Sequence, residues 1–244
     1  MLSAVAANTP AAARSAWSLW FEVLIVLVLT QPLSYCYSPA LLAIGSLWIH
    51  DTAPAFYAPS ILYYALTIAL TLAIIRVSGD PWSTFGISKP MPVDVVSGGI
   101  ICVLCIAVTS MGVEIFIDVL KSILSSRDFY QITHVPRSSY DAHGWAGFFA
   151  LLVLASSVGF SEELITRGYL IPRLERLLKS TWASVIASAG FFGVTHWHQG
   201  ILSMFNAFLF GIVTGIAFAW SRRIWPVAIA HAGFDFSLFL SRAR

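Results

Sequence analysis

The sequence predicts an all-α fold: a polytopic transmembrane helical bundle of about seven or eight membrane segments. Three observations lead there. Of the 244 residues, 58% are hydrophobic and only 11% are charged, whereas ordinary soluble domains carry about 25% charged residues. Apolar runs close to the ~20 residues that a helix needs to span a bilayer recur along the chain. Short polar stretches rich in Pro, Gly and charge separate them. Inside lipid every backbone N–H and C=O must be satisfied within the fold, so such runs are read as helices. The length fits one integral membrane domain over residues 1–244, with the lipid bilayer as its first partner. A net charge of +2 is too small to indicate a nucleic-acid partner.

Trp17–Thr30 is the first apolar run and carries one acid, Glu22. The Ala-rich residues before it hold only Arg14, and no small-residue cleavage site follows, so it is read as a retained span. Leu33–Ile49, broken by Pro39, either crosses the membrane or dips into it. Ala55–Ile75 is a clear span, and Arg76–Asp94 a polar linker with Gly79, Pro81, Pro90 and Pro92. Val95–Leu120 is the next span, with Glu114 and Asp118 inside it, and Lys121–Gly144 is the longest polar loop. Trp145–Phe160 leads into the pair Glu162-Glu163, and Arg167–Lys179 is amphipathic. Trp182–Trp197, Ile201–Trp220 and Ile224–Leu240 complete the set; Gly211 and Gly215 form a GxxxG step suited to helix packing.

Arg14, Arg76 with Lys89, the Arg167–Lys179 stretch and Arg222-Arg223 fall on one side if Leu33–Ile49 does not cross. That side is expected to be cytoplasmic, since Lys and Arg accumulate there. Arg242, Arg244 and the positive residues of the long loop lie opposite. Cys36, Cys102 and Cys105 sit in apolar surroundings and are read as packing residues, with no disulfide framework.

The stretch Ser161-Glu162-Glu163-Leu164-Ile165-Thr166-Arg167-Gly168 organises the chain. A charge at the bilayer centre costs at least ~2.5–3.5 kcal/mol on insertion scales, so intramembrane ionisable residues are functional candidates. On a helix Glu163 and Arg167 share a face at i and i+4, while Glu162 is rotated by about 100°. One carboxylate is therefore neutralised and one is left over, suited to act as a base. Two more late segments carry polar residues at depth: Phe192-Gly-Val-Thr-His196, followed by His198, and His231-Ala-Gly-Phe-Asp235.

A hairpin brings the first two segments together. If Trp145–Lys179 is largely helical and the chain turns near Ser180-Thr181, Glu162 lies about 27 Å before the turn and His196 about 23 Å after it. Antiparallel packing then sets them at similar depth. Because Ile201 starts the next span so soon, the second helix is expected to end early, with Trp197–Gly200 lining a cavity. Two chemistries suit the set. Glu162 and His196 could deprotonate a water while His231 stabilises an oxyanion. Alternatively Glu162, His196 and His231 could bind a divalent zinc-like metal, the one cofactor left open; no HExxH spacing supports it.

The order EExxxRG, FxxxH, Hxxx(N or D) on consecutive late spans resembles the CAAX prenyl protease and bacteriocin-processing (CPBP) family of intramembrane endopeptidases. The resemblance covers about 145–240, and Phe85-Gly86-Ile87 with Lys89-Pro90 weakly resembles the family's linker. It implies a helical core with a water-filled cavity, Glu162 as the water-activating base with His196, His231 and residue 235 as oxyanion stabilisers, and Glu163 and Arg167 in support. Many members carry Asn where Asp235 stands, and an ionised Asp cannot donate to an oxyanion. Asp235 is expected instead to orient His231, to be protonated, or to join a metal site. The implied partner is a peptide or protein substrate, prenylated or membrane-anchored, and the short chain points to a prokaryotic cell (inner) membrane.

Each motif alone has a plainer reading. Glu162-Glu163 could cap a helix leaving the membrane, His196 and His198 could be interfacial, and His231–Asp235 could be a structural pair. Glu114 and Asp118 could line the cavity or face water, and Glu22 suits an interface. Rival functions are a transporter using the same residues as a proton relay, and a non-catalytic bacteriocin-immunity or binding protein. No two-half symmetry supports the first.

Overall fold

The computed structural model describes residues 16–30, 53–133 and 144–242, and all regular structure among them is helical. The elements are α1 (Ala16–Thr30), α2 (Ala53–Ser78), α3 (Pro92–Ile123), α4 (Ser126–Thr133), α5 (Gly144–Glu163), a π-helical segment (Leu164–Leu170), α6 (Ile171–Leu178), α7 (Thr181–Thr195), α8 (Ile201–Ser221) and α9 (Ile224–Ser241). Among the described residues five stretches are long and apolar enough to cross a membrane: Tyr57–Ser78, Pro92–Ile123, Gly144–Leu178, Ile201–Ser221 and Ile224–Ser241. Trp17–Val28 and Thr181–Thr195 are apolar but shorter. The expected run Leu33–Ile49 lies outside the described residues.

Two boundaries move. The span expected over Val95–Leu120 runs from Pro92 to Ile123. Proline suits a first turn, where its missing N–H has no partner in any case, and Asp94 accepts the Met91 N–H at 2.7 Å. The loop expected over Lys121–Gly144 contains α4, an eight-residue helix.

Helix α5 is the central element. Helices α9 and α2 pack on it, α3 lies against α9 and α8, and α7 pairs with α8 and α6. Leu151, Leu154, Ala155 and Val158 of α5 pack with Tyr57 of α2 and Phe239 of α9. Leu164, Ile165, Tyr169 and Leu170 form a second core with Val23 and Val26 of α1, Ile75 of α2 and Phe85. Large apolar side chains such as Leu62, Leu66, Val96, Ile100 and Val103 are exposed, as on a bundle whose outer face meets hydrocarbon.

The linker after α2 folds back onto the helix ends. The Ile224 N–H donates to the Gly86 carbonyl at 3.0 Å, and Trp225 Nε1–H donates to the Ser88 carbonyl at 2.6 Å. Arg223 grips Asp94 with two bonds of 2.7 Å and reaches the Lys89 carbonyl at 2.8 Å. The positive residues of the linker, of α6 and of the α8–α9 turn thus gather at one end, as the loop count predicts. One expectation changes: Arg173, counted among the polar residues of an amphipathic stretch, is fully buried. It bonds Glu22 of α1 at 2.8 Å and Asp80 at 2.6 Å, which explains the acid inside the first apolar run.

Candidate active site

The acidic pair sits in the last turn of α5, where the helix widens. The seven residues Leu164–Leu170 wind as a π-helix and are all buried. The sequence predicts plain α-helix here; π turns are rare and occur mostly at functional sites. Glu163 and Arg167 nevertheless meet, at 3.1 Å with both side chains 0% exposed. Arg167 Nη1 also donates to Thr166 Oγ1, and its guanidinium stacks over Phe192 at 4.7 Å. Ser188 of α7 donates to the Thr166 carbonyl at 2.6 Å, tying the widened turn to the hairpin partner.

His231 arrives on α9 through a close backbone crossing at Gly159. A Cβ there would stand 2.7 Å from the Ala232 nitrogen and 3.1 Å from His231 Cβ. One turn further along α5, Glu163 Oε1 lies 2.8 Å from His231 Nδ1. A carboxylate only accepts, so Nδ1 is assigned the proton. His231 Nε2 stands 3.6 Å from Glu162 Oε2 and 3.7 Å from Asp235 Oδ2, beyond direct hydrogen-bond reach. The carboxylate that orients this imidazole is therefore Glu163, and not Asp235 as one sequence expectation had it.

His196 closes α7. The helix ends at Thr195, so the Phe192 carbonyl has no intrahelical partner left. It takes His196 Nδ1–H at 2.8 Å and the Thr195 hydroxyl at 2.8 Å. A carbonyl cannot donate, so Nδ1 carries the proton and Nε2 of the neutral ring keeps a lone pair. The Phe192 ring stands 4.7 Å from the His196 ring and 5.7 Å from the His231 ring, spacing the two imidazoles. The early end of this helix matches expectation; Trp197–Gln199 continues as a short 3-10 turn. Among the described residues no hydrogen bond or ion pair joins Glu162 to His196.

The two carboxylates differ sharply. Glu163 is sealed between Arg167 and His231, whereas the Glu162 side chain is 21% exposed and has only the 3.6 Å approach to His231. Three buried polar atoms have no partner among the described residues: Glu163 Oε2, Arg167 Nε and Arg167 Nη2. Structural zinc takes four ligands and catalytic zinc three. Glu162, His196 and His231 are suitable donors, but among the described residues no three His, Cys, Asp or Glu side chains come together so as to hold a metal ion. Glu114, Asp118 and His198 are exposed and take no part in the cluster. Sequence reasoning missed Gly159, Thr166, Ser188 and the spacer role of Phe192. The small residue one turn before the acidic pair was the only available sign of the first.

Fold and site together define an integral membrane protein of the helical-bundle class, with a Glu/His cluster set into its central helices. Residues 144–237 match the model of the Rce1-like family, type II CAAX prenyl endopeptidases. Over that stretch the chain is similar to the Rce1-like family, the family its late motifs resemble, and that likeness supports a protease role. The match contains Glu162, Glu163, Arg167, His196, His231 and Asp235. No curated protein and no solved structure matches the chain.

Proposed function

We propose that the protein is an intramembrane endopeptidase in which Glu162 is the base that activates water. The observation that carries this is the division of labour in the acidic pair. Glu163 is engaged by Arg167 and His231, and Glu162 is the partly exposed carboxylate left beside His231 Nε2. In this reading a water held by Glu162 loses its proton to the carboxylate, with the Nε2 lone pair of His196 as second acceptor. The hydroxide attacks the scissile carbonyl. His231, doubly protonated, keeps Nδ1–H on Glu163 and presents Nε2–H to the oxyanion. The proton taken by Glu162 then passes to the leaving amine. Asp235 lies at the same ring nitrogen, and its carboxylate balances the imidazolium. No step runs through a metal. The substrate is a peptide or protein tail held at the membrane, with prenylated CAAX tails as one class to test.

The test compares wild type, Glu162→Gln and Glu163→Gln, purified and reconstituted in lipid, on a panel of farnesylated CAAX peptides and membrane-protein tails read by mass spectrometry. Cleavage by wild type and none by folded Glu162→Gln supports the assignment, and the cut site names the substrate class. Equal cleavage by both sinks the role of Glu162. A chelator arm on wild type is expected to leave cleavage unchanged; loss restored by zinc would replace this mechanism with a metal one. Proton-coupled transport without cleavage would favour a relay.

A further inference from the structure

The basic end of the bundle carries a groove of about 460 Å³ whose walls include Ser83, Thr84, Glu175, Arg176, Lys179 and Arg222. It lies where two candidate spans end. Lys179 directly follows the candidate span Gly144–Leu178, and Arg222 directly follows Ile201–Ser221. Around it Trp82, Leu178, Trp182 and Trp220 are exposed by 38%, 40%, 66% and 92%, the composition of a membrane–water interface.

Backbone and charge single out the same two residues. Among the described residues Lys179 and Arg222 are the only non-glycine residues with positive φ, at 56° and 52°. Both cap helix C-termini in the left-handed conformation, where glycine is the usual occupant. The helix dipole favours a cation near either terminus, but it does not ask the left-handed residue itself to be the cation. Both line one groove. Arg222 is matched by Glu175 at 2.7 Å and Arg176 by Asp80 at 2.8 Å. The Lys179 ammonium and the hydroxyls of Ser83 and Thr84 have no partner among the described residues. The groove therefore holds one unmatched cation and two free hydroxyl donors, a set suited to the oxygens of a phosphate ester.

We propose that this groove binds the headgroup of an anionic phospholipid, holding the bundle in register with the leaflet at its basic end. Basic residues at a cytoplasmic surface gain affinity from anionic lipid, and the groove presents its donors at headgroup depth beside aromatic anchors.

The test uses the full-length protein in detergent micelles and native mass spectrometry. Phosphatidylglycerol and phosphatidylcholine are titrated separately, with inorganic phosphate as competitor. Wild type is expected to hold phosphatidylglycerol at least about fivefold more tightly than phosphatidylcholine. Lys179→Gly removes the cation at a position glycine takes without strain. It should keep its melting temperature and lose about fivefold in phosphatidylglycerol affinity, with phosphatidylcholine unchanged. Ser83→Ala in the same background should weaken binding further. No lipid preference in wild type, or equal phosphatidylglycerol affinity in Lys179→Gly, would overturn the proposal. Displacement of the lipid by millimolar inorganic phosphate would also overturn it and assign the groove to the free anion.

Discussion

Arg167 and Arg173 stand on one continuous helical stretch, both fully buried, yet they are treated in opposite ways. Arg173 has every nitrogen engaged: Nε and Nη2 donate to Glu22 at 3.2 and 2.8 Å, and Nη1 donates to Asp80 at 2.6 Å. Its guanidinium also lies over Phe85 at 4.8 Å and Tyr169 at 5.3 Å. Among the described residues Arg167 Nε and Nη2, and Oε2 of its carboxylate Glu163, have no hydrogen-bond partner. A buried charge is costly unless paired and fully hydrogen-bonded. The Arg173 network meets that condition and ties α1, the linker and α6 together. The Arg167 network does not, and a buried polar group left without a protein partner calls for a specific explanation, a catalytic role or a bound water among them. Two ion-pair clusters of similar composition thus differ in how fully they are hydrogen-bonded.

The contrast can be broken or sharpened by substitution. Glu162→Gln should lower kcat/KM for a cleaved peptide by about 10²–10⁴, because it removes the proposed base. Its melting temperature should stay near wild type, since the carboxylate has no contact closer than 3.6 Å to His231. Time courses and thermal melts in the same micelles check both. A matching loss of stability would move Glu162 to the structural side of the comparison.

Arg173→Ala should do the reverse. It takes from Glu22 and Asp80 the cation they share, leaving Asp80 with Arg176 and Glu22 with the Tyr169 hydroxyl, at a cost of up to about 3–5 kcal/mol of stability. The fraction that remains folded should still cleave, and chemical denaturation paired with activity per folded molecule reads this out. Gly211→Ala tests the Arg167 pocket, because a Cβ there would sit 2.9 Å from Ala189 Cα and 3.1 Å from Arg167 Nη2. Overpacking of this kind costs about 1–3 kcal/mol. Cleavage should fall with stability, because the guanidinium that holds Glu163 must move.

Asp235→Asn should change kcat/KM by no more than about tenfold, because Glu163 and not residue 235 holds the His231 ring, and the new amide adds an oxyanion donor. A larger loss would show that the Asp235 charge balancing the imidazolium outweighs the donor gained. The smallest effect concerns pH. Burial alone would raise the Asp80 carboxyl, but hydrogen bonds from Arg176 and Arg173 outweigh it and hold it below its ordinary 3.8. A depressed carboxylate contributes stability that is complete above that ordinary value and is lost as pH falls through it toward the folded one. The melting temperature should be flat between about pH 7 and pH 5 and fall below about pH 4. The acid side of that curve should flatten in Asp80→Asn.

Much of this was legible beforehand. Hydropathy and span length dictated the helical membrane fold, because lipid permits no other solution for runs this apolar. The spacing of Glu163 and Arg167 predicted their pairing, and the early start of the Ile201–Trp220 run predicted an α7 that ends early. The distribution of Lys and Arg predicted the basic end, since topology is written in charge along the chain. Other features needed packing. The widening of the helix at Leu164 has no local signature; it lies where the helix packs among α2, α7, α8 and α9. The partner of His231 could not be read from i, i+4 spacing, which pointed to Asp235. Glu163 wins because Gly159 lets α9 approach α5 backbone to backbone, a distance set by two helices meeting and not by either alone. Likewise Glu22, Asp80 and Arg173 lie far apart in the chain, and only the fold makes them one network. Sequence determines which residues are apolar, which are charged and where helices start; tertiary structure decides which buried charge finds its full set of partners.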